Sequence, residues 1–249
     1  MTPFRASIQR VVQGSENRPC IECKADQTGN RSSKQRMSNL EVSQFTHTPF
    51  YCEENVYFLL KKLCKDGVAD ADGSDLFVVF ICNDKKQIPL WHQKASTRAD
   101  GIILWDYHVI CIQRKREGNS HLVWDLDSSL SFPSPLASYV SETIRPSFQL
   151  FSEYRRSFRI VHAPIFLRFF ASDRRHMKDS VGNWTAQPPA YEPIVAEDGT
   201  IHNLNEYMEI HASDESTNME ADLINSVFTQ QLGVVIGENQ LEEFFSQIS

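Results

Sequence analysis

A chain of 249 residues, 41% hydrophobic and 23% charged, has ordinary globular composition and enough length for one sizeable core. Its formal net charge of -7 argues against a nucleic-acid or anionic-membrane surface, since both need concentrated basic charge. No apolar run approaches the roughly 18 residues of a membrane-spanning helix, the N-terminus lacks a signal peptide's apolar core, and six cysteines in this length make no dense disulfide framework. We therefore expect an intracellular protein with free thiols, cytoplasmic, with the nucleus as a second compartment.

Residues 1–45 are rich in Ser, Gln, Asn, Arg and Lys without a sustained hydrophobic period, so a disordered extension is expected there. Within it Cys20-Ile21-Glu22-Cys23 has the spacing of half a zinc site. No second pair of suitable spacing lies nearby and His47 alone does not complete one, so no metal is assigned. A single domain is expected over 46–249.

The turn-prone segment Thr48-Pro49-Phe50-Tyr51 leads straight into Cys52, after which Val56, Phe58, Leu59, Leu60 and Leu63 recur at helical spacing. Glu53 and Glu54 lead while Lys61, Lys62 and Lys65 follow, the order a helix dipole favours. Cys52 thus falls at the first turn, where unpaired backbone N–H groups favour a thiolate. It is the candidate nucleophile. Cys64, Cys82 and Cys111, each within or beside an apolar element, read as core thiols.

After an acidic loop, residues 76–81 read as a buried strand and residues 88–91 as a short edge strand, because Pro89 cannot donate to a central ladder. Residues 102–113 and 121–127 are predicted to form a hairpin joined by Glu117-Gly118-Asn119-Ser120. Alternation puts Ile102, Leu104, Asp106, His108, Ile110 and Ile112 on one face of the first strand, and His121, Val123, Asp125 and Asp127 on one face of the second. A turn centred between Gly118 and Asn119 pairs residues whose numbers have an odd sum, which puts His108 and Asp125 on the same side of the sheet. Downstream, the pattern predicts a short helix over 136–144, a strand over 157–163, an apolar patch over 165–171 and an irregular loop marked by Pro188, Pro189 and Pro193. A short helix over 204–210, a strand over 233–236 and a helix over 241–248 follow.

A cysteine at a helix start, then a histidine and an aspartate on adjacent strands, is an order used in thiol acyl transfer. Cys52 would attack a carbonyl or carboxamide carbon, His108 would take and return the proton, and Asp125 would orient the imidazole and stabilise its charged form. The backbone N–H of Cys52 is a natural oxyanion donor.

The words around these residues narrow the choice. Tyr51-Cys52-Glu53-Glu54-Asn55, Pro89-Leu90-Trp91, Trp105-Asp106-Tyr107-His108-Val109, Asp125-Leu126-Asp127, and the run from Ala171 through Ser172-Asp173-Arg174-Arg175-His176-Met177-Lys178-Asp179 to Ser180 with Gly182-Asn183-Trp184 closely resemble the protein N-terminal glutamine amidohydrolase family. Asn203-Leu204-Asn205 and Gly233-Val234-Val235 extend the likeness over residues 47–249. The resemblance implies an α+β fold with a papain-like and transglutaminase-like core, in which a helix bearing the cysteine packs on an antiparallel sheet bearing the histidine and aspartate. It maps a Cys-His-Asp triad onto Cys52, His108 and Asp125. It also implies a monomer, without metal or organic cofactor, that hydrolyses the side-chain amide of an N-terminal glutamine in proteins to glutamate and ammonia, feeding the arginine branch of the N-degron pathway.

Selectivity for a chain terminus needs an acceptor for the α-ammonium group, and Asp106, Glu53 and Asp173 are the candidates. His176, in a polar segment with no strand-mounted acid beside it, is expected to be a structural or substrate-loop residue. The competing readings are a papain-like protease or transglutaminase, and a non-catalytic module that binds N-terminal residues.

Overall fold

The computed structural model describes residues 40–115, 121–211, 214–216 and 219–248. The expected extension lies, through residue 39, outside the described residues, as do Cys20, Cys23 and the hairpin turn. Order already precedes Thr46: a 3-10 turn spans Val42–Gln44, and Phe45 is buried against Trp124 and Phe132.

The helix expected after Tyr51 spans Cys52–Lys65 (α1). The strands that follow are Leu76–Cys82 (β1), Ile88–Leu90 (β2), Ile103–Trp105 (β3), His108–Gln113 (β4), Leu122–Trp124 (β5) and Ser134–Pro135 (β6). Leu136–Tyr139 (α2) runs into a π-helical stretch, Val140–Ile144, which ends with Arg145 in the left-handed conformation just before Pro146. Ser157–His162 (β7) leads directly into Ala163–Phe169 (α3), so the apolar patch expected over 165–171 is largely helical. Leu204–Met208 (α4), Ala221–Val227 (α5), Val234–Gly237 (β8) and Leu241–Gln247 (α6) complete the order.

Six strands form one antiparallel sheet in the order β6-β5-β4-β1-β7-β8. Its centre, β1, is buried along its whole length because both faces are covered, which is why its sequence is an unbroken apolar run. On one face Val78, Phe80, Val109, Cys111 and Val161 meet Val56, Leu59, Leu60 and Leu63 of α1 and Phe166 of α3. On the other, Phe77, Val79, Ile81, Ile110 and Ile112 meet Tyr139, Val140 and Ile144 and the α6 residues Phe244 and Phe245. Arg156 is buried, donating to the carbonyls of Pro89 and Ile144 and to Glu238, and so fastens β7 to β2 and the π-helical turn.

One expectation needs correction. Residues 102–113 are not one strand: β3 pairs with β2 in a separate two-stranded ribbon, and Asp106 and Tyr107 form the break before β4 enters the main sheet. The reason lies in burial, since Leu104 is exposed in β3 whereas every residue of β4 is buried. Asp106 therefore does not share a continuous strand face with His108. The hairpin register agrees with the reading: Cys111 pairs with Trp124, Ile112 with Val123 and Gln113 with Leu122, each an odd sum. No helix among the described residues is long and apolar enough to cross a membrane.

Gly233, at the start of β8, has φ +62, and a Cβ there would sit 1.9 Å from the carbonyl oxygen of Ile160. Gly199 has φ +87 but open space around it. We predict that Gly233→Ala costs at least about 2 kcal/mol in denaturation, while Gly199→Ala costs about 1 kcal/mol. Equal losses would contradict the close packing of β8 on β7.

Candidate active site

The turn before α1 is held by one side chain. Asn55 accepts from the backbone N–H of Thr48 at 2.8 Å and donates to the Thr48 carbonyl at 2.8 Å, closing the segment that carries Phe50 at φ 71. This fixes where α1 begins and buries its first residues, Cys52, Glu53, Glu54 and Asn55. No side chain caps the helix.

His108 opens β4, and Asp125 follows the last residue of β5. His108 Nε2 and Asp125 Oδ1 are 3.0 Å apart, both side chains being buried. Asp125 also accepts from the Tyr139 hydroxyl at 2.8 Å and from the backbone N–H of Asp127 at 2.9 Å. Trp105 stacks on the imidazole, with ring centroids 5.3 Å apart. The other ring nitrogen, Nδ1 of His108, is buried and has no hydrogen-bond partner among the described residues. Burial alone would lower the pKa of His108, but the charge of Asp125, its hydrogen bond and the charge of Asp127 outweigh burial and raise it. Burial likewise pushes Asp125 upward, and the His108 charge and hydrogen bond, with help from Tyr139 and the Asp127 N–H, bring it below the ordinary carboxylate value.

The Cys52 thiol lies 3.8 Å from Glu53 Oε2 and within reach of the Val109 backbone, one residue from His108. Asp125 and Asp127 both act on it electrostatically, so thiol and His–Asp pair share one locus. Burial reverses the thiolate preference expected at the helix start. Burial, followed by the charges of Glu53 and Asp127, pushes the thiol well above its ordinary value, and the Val109 hydrogen bond offsets only part of this. The resting sulfur is a thiol, since desolvation outweighs the helix terminus. His108, Asp125 and Asp127 bring ligand-type atoms within 4.8 Å of one another, as a metal site would. Each is already engaged inside the protein, Asp127 with His47 at 2.8 Å.

The three acids read as ammonium acceptors have different settings. Asp106 is exposed. Asp173 is hydrogen-bonded by Arg175 and lies 3.1 Å from His202 Nδ1. Glu53 is fully buried and accepts from the Tyr107 hydroxyl at 2.8 Å, and His176 Nε2 is 3.6 Å from its Oε1. His176 therefore does have an acid beside it, carried by the helix rather than by a strand. Its neighbour Glu54 is held by Arg174 in a two-pronged pair, both contacts at 2.9 Å. Arg174 also donates to the carbonyls of Pro189 and Glu192, and Tyr51 donates to that of Ala186, so the loop over 172–194 is tied to the start of α1.

Tyr139, Tyr107, Arg174 and Trp105 were absent from the sequence reading as site residues. The family words around Arg174 and Trp105 carried a signal of importance without a role, and Tyr139 carried none beyond its place in a predicted helix.

The profile described as N-terminal glutamine amidase matches residues 47–245. A protein of Arabidopsis thaliana named "Protein N-terminal glutamine amidohydrolase" is 63% identical over 84% of this chain and 95% of its own length. One of that name from Oryza sativa subsp. indica is 55% identical over 84% of this chain and 90% of its own. The Homo sapiens protein of that name is 37% identical over 74% and 85%.

Breaking the buried Arg174–Glu54 pair from one side should cost about 3–5 kcal/mol, because a charge is left unpaired in the interior. Chemical denaturation of Arg174→Met, Glu54→Gln and the double variant tests this. We expect the double variant to be more stable than the sum of single losses; strict additivity would show that the two charges do not depend on each other.

Proposed function

Because the chain belongs to the N-terminal glutamine amidase family, it is an amidohydrolase, and we propose that it hydrolyses the side-chain amide of N-terminal glutamine in proteins, giving glutamate and ammonia. The observation that carries the mechanism is the buried Tyr139–Asp125–His108 chain, which leaves Nδ1 of His108 without a partner beside the locus of Cys52.

Cys52 transfers its proton to Nδ1 of His108, and the thiolate sulfur bonds to the carboxamide carbon of the glutamine side chain. The carbonyl oxygen becomes an oxyanion, met by the backbone N–H of Cys52 at the start of α1. The intermediate collapses as the imidazolium gives its proton to the nitrogen; the C–N bond breaks and ammonia leaves. A γ-glutamyl thioester remains. His108 then takes a proton from water, the hydroxide oxygen bonds to the thioester carbon, and the C–S bond breaks. The sulfur recovers its proton and the γ-carboxylate is released. Asp125 fixes the imidazole so that Nδ1 faces the chemistry, and it supports the charged ring in both half-reactions.

The helix carrying Cys52 against an antiparallel sheet carrying His108, with Asp125 at the end of its neighbour, supports a papain-like and transglutaminase-like core. The chemistry supports a place ahead of N-terminal arginylation, since glutamate is the residue formed, and hence in the arginine branch of the N-degron pathway. A monomer acting in the cytoplasm or nucleus on protein and peptide substrates fits this reading.

Cys52→Ala should abolish ammonia release from a glutamine-initiated peptide, with no peptide-bond cleavage or crosslinking by the wild type. Retained release in that variant would remove Cys52 as nucleophile. Asp125→Asn should lower kcat by roughly 10²–10⁴. The Asp125 charge raises the His108 pKa, so its loss should move the acid limb of the pH–rate profile to lower pH; an unmoved limb would show that it reports another group.

A further inference from the structure

Two adjacent glutamates are buried at the start of α1, yet the structure supplies one buried guanidinium for them. Arg174 takes Glu54 with both prongs. Glu53 is left with neutral contacts, the Tyr107 hydroxyl at 2.8 Å and the Cys52 thiol at 3.8 Å on Oε2 and a hydrogen bond from its own backbone N–H. Its Oε1 is buried and has no hydrogen-bond partner among the described residues. The nearest group able to carry positive charge is His176, 3.6 Å away, and burial, then the charge of His202, depress that imidazole to about 4. Burial thus biases His176 toward its neutral form. A buried carboxylate with no counter-cation is costly, and burial accordingly raises the Glu53 carboxyl to about 7.

The missing partner has to be positive, rich in N–H donors and close to the Cys52 sulfur. A primary ammonium meets all three requirements. In an N-terminal glutamine the α-nitrogen is four bonds from the carboxamide carbon, so the two lie within about 5 Å of each other. A carboxylate oxygen 3.8 Å from the sulfur is in range of such a group. We propose that Glu53 receives the α-ammonium group of the substrate, in a subsite completed by Tyr107 and His176; the assignment rests on the amidase reading above.

Tyr107 and His176 are partly exposed whereas Glu53 is not, so the ammonium reaches Oε1 past the imidazole, which is carried on the 172–194 loop rather than on the core. Tyr107 holds Oε2 and leaves Oε1 for the ligand. Its oxygen and His176 Nε2 are 3.4 Å apart, close enough for one ammonium to be shared between the carboxylate and its neighbours. Asp173, already paired with Arg175 and His202, and Asp106, exposed in water, have no comparable need of a cation. The subsite explains selectivity in physical terms. An acetylated terminus or an internal glutamine offers no charge and would leave Glu53 buried and unpaired.

The groups facing Glu53 are Cys52 and Glu54 on its own helix, Tyr51 just before it, Tyr107 from the link before β4, His176 from the loop, and Tyr191 beyond it, with Arg174 behind Glu54. Ammonium binding requires the carboxylate form, so KM for a free-amine peptide should rise as pH falls below about 7. The Tyr107 hydrogen bond lowers the Glu53 pKa, so its removal should move that inflection to higher pH.

The test is steady-state ammonia release across pH from one glutamine-initiated peptide, free or acetylated, with wild type, Glu53→Gln and Tyr107→Phe. For Glu53→Gln we expect KM for the free peptide to rise about a hundredfold or more, preference for the free peptide to collapse, and the pH dependence of KM to vanish. Tyr107→Phe gives a second reading, should Glu53→Gln fail to fold: KM rises less and its inflection moves up in pH. Glu53→Gln that keeps its preference and its pH-dependent KM would overturn the assignment, as would an inflection unmoved in Tyr107→Phe. Wild type that releases ammonia equally from both peptides would overturn the subsite and leave the amidase reading standing. Wild type that releases none from either would remove both.

Discussion

Burial of three consecutive side chains at the first turn of α1 is the constraint around which the rest of this structure is arranged. Cys52, Glu53 and Glu54 leave water together, and each must be compensated by something distant in sequence. Glu54 recruits Arg174, whose remaining donors bind carbonyls of the 172–194 loop, so one ion pair also closes a long irregular segment over the helix. Glu53 recruits Tyr107, and the Cys52 sulfur meets the Val109 backbone. Asn55 fixes the turn that makes the arrangement possible. Among the described residues Glu53 has no cationic side chain beside it except the imidazole of His176, and the proposed ammonium subsite rests on that.

The His–Asp pair depends on the opposite face of the sheet. Tyr139 belongs to the apolar layer that packs on Ile110, Ile112 and Val123, and its hydroxyl reaches Asp125 across the end of the sheet. The thiol comes from the α1 layer and the imidazole from the start of β4, so the proposed chemistry sits where both layers meet one edge of the sheet. The pKa directions are consistent with this division. Burial favours the protonated sulfur, and Asp125 makes His108 a stronger base, so in the proposed mechanism the nucleophile is generated by proton transfer during the reaction and not stored as a resting thiolate.

Local pattern made much of the fold legible. The extent of α1, the strand at 76–82 and the odd-sum pairing of β4 with β5 all follow from periodicity and turn placement, because each is set by residues close in sequence. The break at Asp106 and Tyr107 was not legible, since a mostly apolar, β-favouring run of twelve residues satisfies one long strand as well as two short ones in different sheets. Partners of buried charge were hidden for a similar reason. Nothing near Glu54 points to Arg174, 120 positions away, and nothing near Arg156 distinguishes it from a surface arginine. Of the candidate site, Cys52, His108 and Asp125 could be named from type, order and family words, and the structure brings them to one locus. Tyr139 could not, because its role exists only after the sheet has assembled. Glu53 stands in the sequence as one candidate among three, and the proposal that prefers it draws on Asp173 being already paired and Asp106 lying in water.

The central claim is that Cys52 carries the acyl group, and the most direct measurement is rapid acid quenching during turnover of a glutamine-initiated peptide, followed by mass analysis of the protein. The account predicts an adduct on Cys52 with the mass of the peptide less ammonia, and no turnover once Cys52 is alkylated. An adduct on another residue, or undiminished turnover with Cys52 blocked, would contradict it.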